Sequence, residues 1–213
     1  MKYYPKFTAI MLIFSAILAN IWFIGLGSVF NYPEILKQPP EFILQTFSQN
    51  ATVIMLWFFI LALSAGLMTP IALQVGKMGE GMINKIAIWA GILASTVQVI
   101  GLSRWFLIVP GFSERGDVVN FEWYHMFLGT FVGETLGYFF TGIWTILIIR
   151  AGIKHLAGIW FSFLGYISSF LILLGIFSPL GIGWADIANF IGYVLWSLWL
   201  IILGILIFRK HKI

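Results

Sequence analysis

Six long apolar stretches divide this chain, and they restrict its fold more than any other feature. A helix needs about 20 mostly apolar residues to cross a membrane, and every stretch reaches that length. The stretches cover residues 8–29, 51–75, 86–109, 123–149, 157–177 and 188–208. Proline and glycine mark the segments between them, as expected where helices end. The sequence therefore predicts an all-α fold, a polytopic membrane bundle of six transmembrane helices that forms one domain over residues 1–213.

The composition excludes two other classes of protein. Hydrophobic residues make up 61% of the chain and charged residues 9%, whereas a soluble domain carries about 25% charged residues. A disordered chain would be poor in aromatic residues, which form 18% of this one. The chain has no cysteine, which excludes disulfides, thiolate catalysis and cysteine-ligated zinc or iron–sulfur sites.

Charged residues sort onto two sides of the predicted bundle with opposite net sign. One side carries Lys2, Lys6, Lys77, Lys85, Arg150, Lys154, Arg209, Lys210 and Lys212 against Glu80. The other side carries Lys37 and Arg115 against Glu34, Glu41, Glu114, Asp117, Glu122 and Asp186. Because lysine and arginine accumulate on the cytoplasmic side of a membrane, we expect both termini to be cytoplasmic. The basic residues are scattered among short loops and chain ends, so nucleic acid is not an expected partner.

Arg104 and Glu134 are the two charged residues inside the apolar stretches. Such residues are costly in a membrane and usually face the protein interior, which makes them the first candidates for function. A rise of 1.5 Å per residue places Arg104 about 9 Å and Glu134 about 16 Å from the non-cytoplasmic ends of their helices. Two arrangements fit. Either the two side chains form a buried ion pair, whose role is structural or functional, or Arg104 extends outward to Glu122 or a lipid phosphate.

Polar and small residues form faces along the helices that carry these charges. On the fourth helix, an α-helical period places on one face Thr130, Glu134, Tyr138, Thr141 and Thr145. On the third helix, a comparable stripe contains Gly91, Ala94, Gln98, Gly101 and Trp105. Polar faces this deep must meet other helices or water rather than lipid, and Asn20 and Asn189 extend the same predicted interior. The spacing of Gly129, Gly133 and Gly137 predicts close helix packing.

The histidines do not form a recognisable metal site in the sequence. His125 follows Glu122 by three residues, but a di-iron site needs two copies of Glu-x-x-His, and this copy is the only one. Haem ligation would need a second histidine at the same depth, whereas His155 and His211 lie on the basic side. We therefore assign no metal, no cofactor and no catalytic residue, and we interpret His125 as a candidate lining residue of an outward-opening pocket.

The longest connection between helices covers residues 30–50. Within it, residues 40–47 predict a short interfacial helix that directs Phe42, Ile43, Leu44 and Phe47 toward lipid or the bundle. This segment either caps the bundle as an ordinary loop or forms a lid over a pocket on the same side.

Several motifs resemble those of a known protein family. They are residues 29–36 (VFNYPEIL), 98–110 (QVIGLSRWFLIVP), 133–144 (GETLGYFFTGIW), 165–166 (GY) and 196–204 (WSLWLIILG). Over essentially the whole chain, the sequence resembles the bacterial membrane proteins of the domain of unknown function 4386 family. The resemblance implies a multi-helix protein of the bacterial inner membrane, and it brings no activity, substrate or cofactor. It directs attention to Arg104, Trp105, Pro110, Glu134 and Tyr138.

Three functions are compatible with the sequence. The first is binding of a lipid-like or small hydrophobic ligand in an outward-facing polar pocket. The expected lining residues of that pocket are Gln98, Arg104, Trp105, His125, Glu134 and Tyr138. The second is a structural or accessory subunit of a membrane complex, in which polar residues only fix helix contacts. The third is an intramembrane enzyme that uses Glu134 or His125 as acid or base. Membrane lipid is an expected partner in all three cases.

Overall fold

The computed structural model describes residues 3–152 and 158–210 of the chain. Helices account for nearly all of these residues, and no strand occurs among them. The charges of Lys2, Lys154 and Lys212, together with His155 and His211, lie outside the described residues.

Six helices in the described ranges are long and apolar enough to cross a membrane. They are Pro5–Phe30, Ala51–Met78, Met82–Arg115, Val118–Arg150, Gly158–Leu180 and Gly183–Lys210, here called the first to sixth spanning helices. The predicted set of six is confirmed. Most of the helices extend beyond the predicted stretches by several residues, because polar residues at the ends continue the helical backbone outside the apolar window.

The second, third and fifth spanning helices are each divided into two or more segments. The second consists of Ala51–Gly66, Met68–Val75 and a 3₁₀ turn, Gly76–Met78. The third consists of Met82–Leu107 and Val109–Arg115. Proline at the start of that second piece suits a first helical turn, where its missing N–H has no partner to lose. The fifth consists of Gly158–Leu174 and a 3₁₀ segment, Gly175–Leu180.

The fourth spanning helix contains the most unusual backbone in the molecule. It begins with α-helix Val118–Tyr124, continues as a π-helix over His125–Leu136 and returns to α-helix over Gly137–Arg150. A π-helix hydrogen-bonds residue i to i+5 and is uncommon, and where it occurs it is often at a functional site. This twelve-residue segment is called the π-segment below.

The six spanning helices are arranged as a ring. Each one packs on its neighbours in the sequence, and the sixth packs back on the first. The ring is filled at the end that carries the chain termini, where a cluster of side chains from all six helices surrounds Trp144 and Trp199. At the opposite end, a second cluster around Trp105 and Phe58 fills the side formed by the first four helices. The remaining space between these clusters is open.

The connection after the first helix covers the end opposite the termini. It contains a 3₁₀ segment, Glu34–Lys37, and a helix, Pro40–Gln49. Ile43, Leu44 and Phe47 on this helix are buried in the cluster around Trp105, while Phe42 remains half exposed. The predicted helix is therefore present, and three of its four apolar side chains point into the bundle. We call this end of the molecule the capped end.

Candidate ligand-binding site

A cavity of about 430 Å³ occupies the open part of the ring below the capped end. This volume lies in the range of cavities that hold small-molecule ligands, about 300–1,000 Å³. All six lining residues that the sequence predicts contribute to the wall of this cavity: Gln98, Arg104, Trp105, His125, Glu134 and Tyr138. The structure therefore brings the six candidates together, although they come from two helices and span 41 positions of the chain. Their role in ligand binding stays a prediction.

The third helix supplies the first wall of the cavity. Gln98 is half buried there, and its Nε2 donates to Oγ1 of Thr141 on the fourth helix at 2.8 Å. Trp105 is fully buried and stacks on Phe58 of the second helix, with ring centroids 4.8 Å apart. These contacts hold the third helix between its two neighbours, so the residues between Gln98 and Trp105 have a fixed position at the cavity.

The π-segment supplies the facing wall, and its winding decides which side chains reach the cavity. An α-helix turns about 100° per residue, so His125 and Glu134, nine positions apart, would point to opposite sides. A π-helix has about 4.4 residues per turn, which places both on one side. The residues of this helix that line the cavity are His125, Gly129, Thr130, Gly133, Glu134, Tyr138 and Thr141. The π-helical backbone thus brings His125 to the same wall as Glu134.

Glycine allows the two walls to approach each other closely. A Cβ atom placed on Gly101 of the third helix would lie 2.4 Å from the Cα of Gly133. A Cβ atom on Gly129 would lie 2.6 Å from Nη2 of Arg104. Any side chain at these positions would push the helices apart or displace the guanidinium. The glycine spacing predicted close packing, and the structure shows that the partner is the third helix beside the cavity.

Arg104 lies deep in the wall and is only 4% exposed. Its Nη1 donates to the carbonyl of Gly101 one turn earlier, and its Nη2 lies 3.5 Å from Nδ1 of His125. Its Nε has no hydrogen-bond partner in the described part of the chain. The guanidinium carbon lies 5.0 Å from the ring centre of Trp105, a distance at which an aromatic face attracts a cation. Arg104 is therefore fixed in place by neutral groups.

His125 links the π-segment to Arg104 and to the capped end. Because an arginine nitrogen can only donate, Nδ1 of His125 is the acceptor in its contact with Arg104. The other ring nitrogen is then free to donate, and the main chain of Leu36 lies near enough to influence the imidazole. Phe121 stacks on the same ring, with centroids 5.4 Å apart. These contacts select the tautomer with the proton on Nε2.

Glu134 faces the cavity without a direct partner. Among the described residues, no nitrogen of a basic side chain lies within 4.0 Å of its carboxylate, and no donor forms a hydrogen bond with it. Arg104 is buried and does not extend toward lipid. Neither of the two arrangements expected for Arg104 is therefore observed: the pair is not in contact, and Arg104 does not reach Glu122. The two charges still influence each other electrostatically across the cavity.

The other side of the cavity is formed mainly by the first, second and sixth helices. Its aromatic and aliphatic residues include Phe23, Leu61, Phe190, Tyr193, Val194 and Leu200. Asn20 and Asn189 also line it, as the sequence indicated. The aromatic residues of this side were not predicted. They lie in helices without an internal charge, and an apolar side chain that faces a cavity cannot be distinguished by sequence from one that faces lipid.

The capped end closes over the cavity through a short ionic contact. Nζ of Lys37, in the 3₁₀ segment, lies 2.9 Å from Oδ2 of Asp186 at the start of the sixth helix. The same ammonium lies 3.2 Å from Glu34. The hydrogen bond to Asp186 raises the pKa of Lys37 above its ordinary value, so the ammonium remains charged at neutral pH. Lys37 and Asp186 both line the cavity, and they tie the loop to the ring at its mouth.

No protein-family model, no curated protein and no solved structure matches this chain. The resemblance to the domain of unknown function 4386 family therefore stays a prediction. Within the described ranges, no group of three or more histidine, aspartate or glutamate side chains is close enough to hold a metal ion.

Proposed function

We propose that this membrane protein binds an amphipathic molecule, lipid-like or small and hydrophobic, in the cavity of the helix ring. The observation that carries the proposal is the division of the cavity wall. Arg104, His125 and Glu134 lie on the third and fourth helices, whereas the first, second and sixth helices contribute mainly aromatic and aliphatic residues together with a few serine and asparagine side chains. Ligand cavities are mostly apolar with a few placed polar groups, and this wall has that composition. A cavity of about 430 Å³ suits a single-chain or drug-sized molecule better than a complete two-chain phospholipid.

Polar groups at this depth are costly, which supports a functional origin for the wall. A buried guanidinium with an unpartnered Nε and a carboxylate without a donor both lose free energy relative to water. A purely structural interior would gain from contact between the two charges. The open arrangement is instead suited to receive a ligand that supplies the missing partners.

The test is a comparison of two tryptophan substitutions on the first helix. Ala19 lines the cavity, whereas Ile17 faces outward with 45% of its side chain exposed. The purified protein in lipid nanodiscs would be examined by native mass spectrometry after incubation with membrane lipid extract. We expect Ala19→Trp to lose the bound molecule and Ile17→Trp to retain it. Equal retention by both variants, or no bound molecule in the wild type, would contradict the proposal.

The orientation of the protein is part of the proposal. The lysine and arginine excess at the end that carries the termini supports a cytoplasmic location for both, with the capped end and the cavity mouth on the outer side of a bacterial inner membrane. Because the chain has no cysteine, single substitutions Glu41→Cys and Lys85→Cys give a direct test. A membrane-impermeant thiol reagent should label intact cells only at position 41. Labelling at position 85 alone would show that the protein has the opposite orientation in the membrane.

A further inference from the structure

The polar wall of the cavity contains two opposite charges that are held apart. Arg104 and Glu134 line the same cavity, yet the guanidinium and the carboxylate are more than 4.0 Å apart. In a medium of low dielectric constant, opposite charges attract strongly. The structure must therefore contain something that prevents their contact.

The guanidinium is the anchored partner. It donates to the carbonyl of Gly101 on its own helix, and the backbone at Gly129 covers its face so closely that a Cβ atom there would overlap it. His125 occupies a further edge of the guanidinium at 3.5 Å. Arg104 therefore cannot extend toward Glu134 without losing these contacts, and the gap between the two charges belongs to the geometry of the wall.

The carboxylate is the partner that faces the open cavity without a donor, and three tyrosines line the same cavity. They are Tyr32, Tyr138 and Tyr193. The rings of Tyr138 and Tyr193 lie 5.8 Å apart at an angle of 63°. Carboxylates and aromatic rings are the groups that attract organic cations such as quaternary ammonium groups, and this cavity contains both.

The charged groups that line the cavity are two basic and two acidic side chains. Lys37 and Asp186 pair at the mouth, where Lys37 also contacts Glu34 outside the cavity lining, and Arg104 and Glu134 contribute one group of each sign inside. A ligand with a single net charge would satisfy one of the inner groups and repel the other. A ligand with both signs would satisfy both and would keep the occupied cavity neutral, which a low-dielectric site favours.

We infer that the ligand has a zwitterionic polar group; this inference rests on the proposed binding of an amphipathic molecule. Its anionic part is directed to Arg104 and its cationic part to Glu134 and the three tyrosines. Its apolar part lies along the first and sixth helices, where the rings of Phe23 and Phe190 are 5.5 Å apart.

The experiment compares four probes with the same ten-carbon chain and different polar groups. They are decylphosphocholine, decyltrimethylammonium, decyl phosphate and decyl glycerol ether, titrated below their micellar concentrations against the protein in nanodiscs. We expect the zwitterionic phosphocholine to bind at least about tenfold more tightly than each of the other three, because one charge-assisted contact contributes about that factor.

Variants then assign each charge to its partner. Glu134→Gln should weaken the binding of decylphosphocholine and of decyltrimethylammonium about tenfold. The affinity for decyl phosphate should be unchanged or higher. Arg104→Gln should instead weaken the binding of decylphosphocholine and decyl phosphate. If the glutamine variant does not fold, Arg104→Lys, which keeps the charge but not the fork of N–H donors, should weaken the binding of the same two probes and leave decyltrimethylammonium unchanged. Glu122→Gln, on the exposed surface of the same helix, is the matched control and should change nothing.

The outcomes separate this inference from the proposed function. If the neutral glycerol ether binds as tightly as phosphocholine and Glu134→Gln does not alter the ranking, the zwitterionic assignment is overturned while cavity binding stands. If only one charged probe is preferred, the assignment is also wrong. If no probe binds and Ala19→Trp has no effect on any bound lipid, the proposed function fails as well.

Discussion

The fourth spanning helix faces a cavity along His125–Leu136 and a solid core along residues 144–150. In the π-segment only Gly129 is buried, because the side chains either border the cavity or face outward. In the following α-helix, Trp144, Thr145, Ile148 and Ile149 are buried in the cluster at the terminal end. Both the π-segment and the α-helix Gly137–Arg150 mix apolar, glycine and hydroxyl residues. The difference between them therefore lies in the backbone winding more than in composition.

Winding decides which residues share a face. With about 3.6 residues per turn, the α-helical part directs one stripe into the core and the rest toward neighbours or lipid. With about 4.4 residues per turn, the π-segment collects His125, Thr130 and Glu134 on one side. The comparison teaches that a local change of helical period can bring to one cavity wall residues that a regular α-helix would separate.

The largest expected effect comes from filling the closest approach between the two cavity walls. Gly101→Ala would place a Cβ atom 2.4 Å from the backbone of Gly133, and backbone cannot move aside as a flexible side chain does. We expect a loss of about 3 kcal/mol in the free energy of unfolding and a reduced yield of folded protein from membranes.

The control for this substitution is Gly183→Ala, at the start of the sixth helix. A Cβ atom there meets nothing within 4 Å, so thermal unfolding should be unchanged. If Gly101→Ala unfolds at the same temperature as the control, the π-segment does not pack against the third helix as described.

The next effect concerns the contacts that hold Arg104. His125→Phe keeps the aromatic stacking on Phe121 but removes the acceptor for Nη2 of Arg104. A buried donor left without an acceptor costs about 1–3 kcal/mol, so we expect a loss of stability of at least that size together with weaker ligand binding. Tyr124→Phe is the neighbouring control and should affect neither. Unchanged thermal unfolding of His125→Phe would show that Arg104 does not depend on the imidazole.

A smaller effect distinguishes two tryptophans in the solid core. Trp144 and Trp199 are both fully buried, with ring centroids 6.2 Å apart. Nε1 of Trp199 donates to the carbonyl of Phe161 at 3.1 Å, whereas Nε1 of Trp144 has no acceptor among the described residues. Trp199→Phe should therefore cost about 1 kcal/mol more than Trp144→Phe in chemical unfolding. Neither substitution should change ligand affinity, and a change in affinity would mean that the core and the cavity are coupled.

The smallest effect is expected at the capped end. Lys37→Met removes the contact with Asp186, but this contact is exposed, and such pairs contribute about 0–1 kcal/mol. The folded-state pKa of Lys37 is raised, so the stabilisation is fully present below the ordinary lysine pKa. It is lost only as the pH rises through the raised value. The difference in thermal unfolding between wild type and variant should be constant around neutral pH and disappear in strong alkali, with Lys85→Met as control.

Much of this arrangement follows from the sequence. Hydropathy and length predict the six spanning helices, because apolar stretches of this size have few other stable states. The cost of buried charge selected Arg104 and Glu134, and both lie at one cavity. The π-segment could not be predicted, since period analysis at about 3.6 residues per turn separates His125 from Glu134. The separation of Arg104 and Glu134 could not be predicted from the sequence either. It depends on the contacts of Arg104 with Gly101 and Gly129 rather than on the position of Arg104 along its helix.

The most direct test of the central claim is single-cysteine labelling at positions 125 and 127 in the cysteine-free chain. In the structure His125 lines the cavity, and Phe127 faces outward with 43% of its side chain exposed. A regular α-helix would place residue 127, seven positions before Glu134, on the cavity side instead. We predict that a charged thiol reagent labels His125→Cys and that Phe127→Cys stays unlabelled in nanodiscs. Decylphosphocholine should protect the cysteine at position 125, at higher concentrations than the wild type needs because the contact of His125 with Arg104 is lost. Protected labelling at 127 and none at 125 would contradict the π-helical wall.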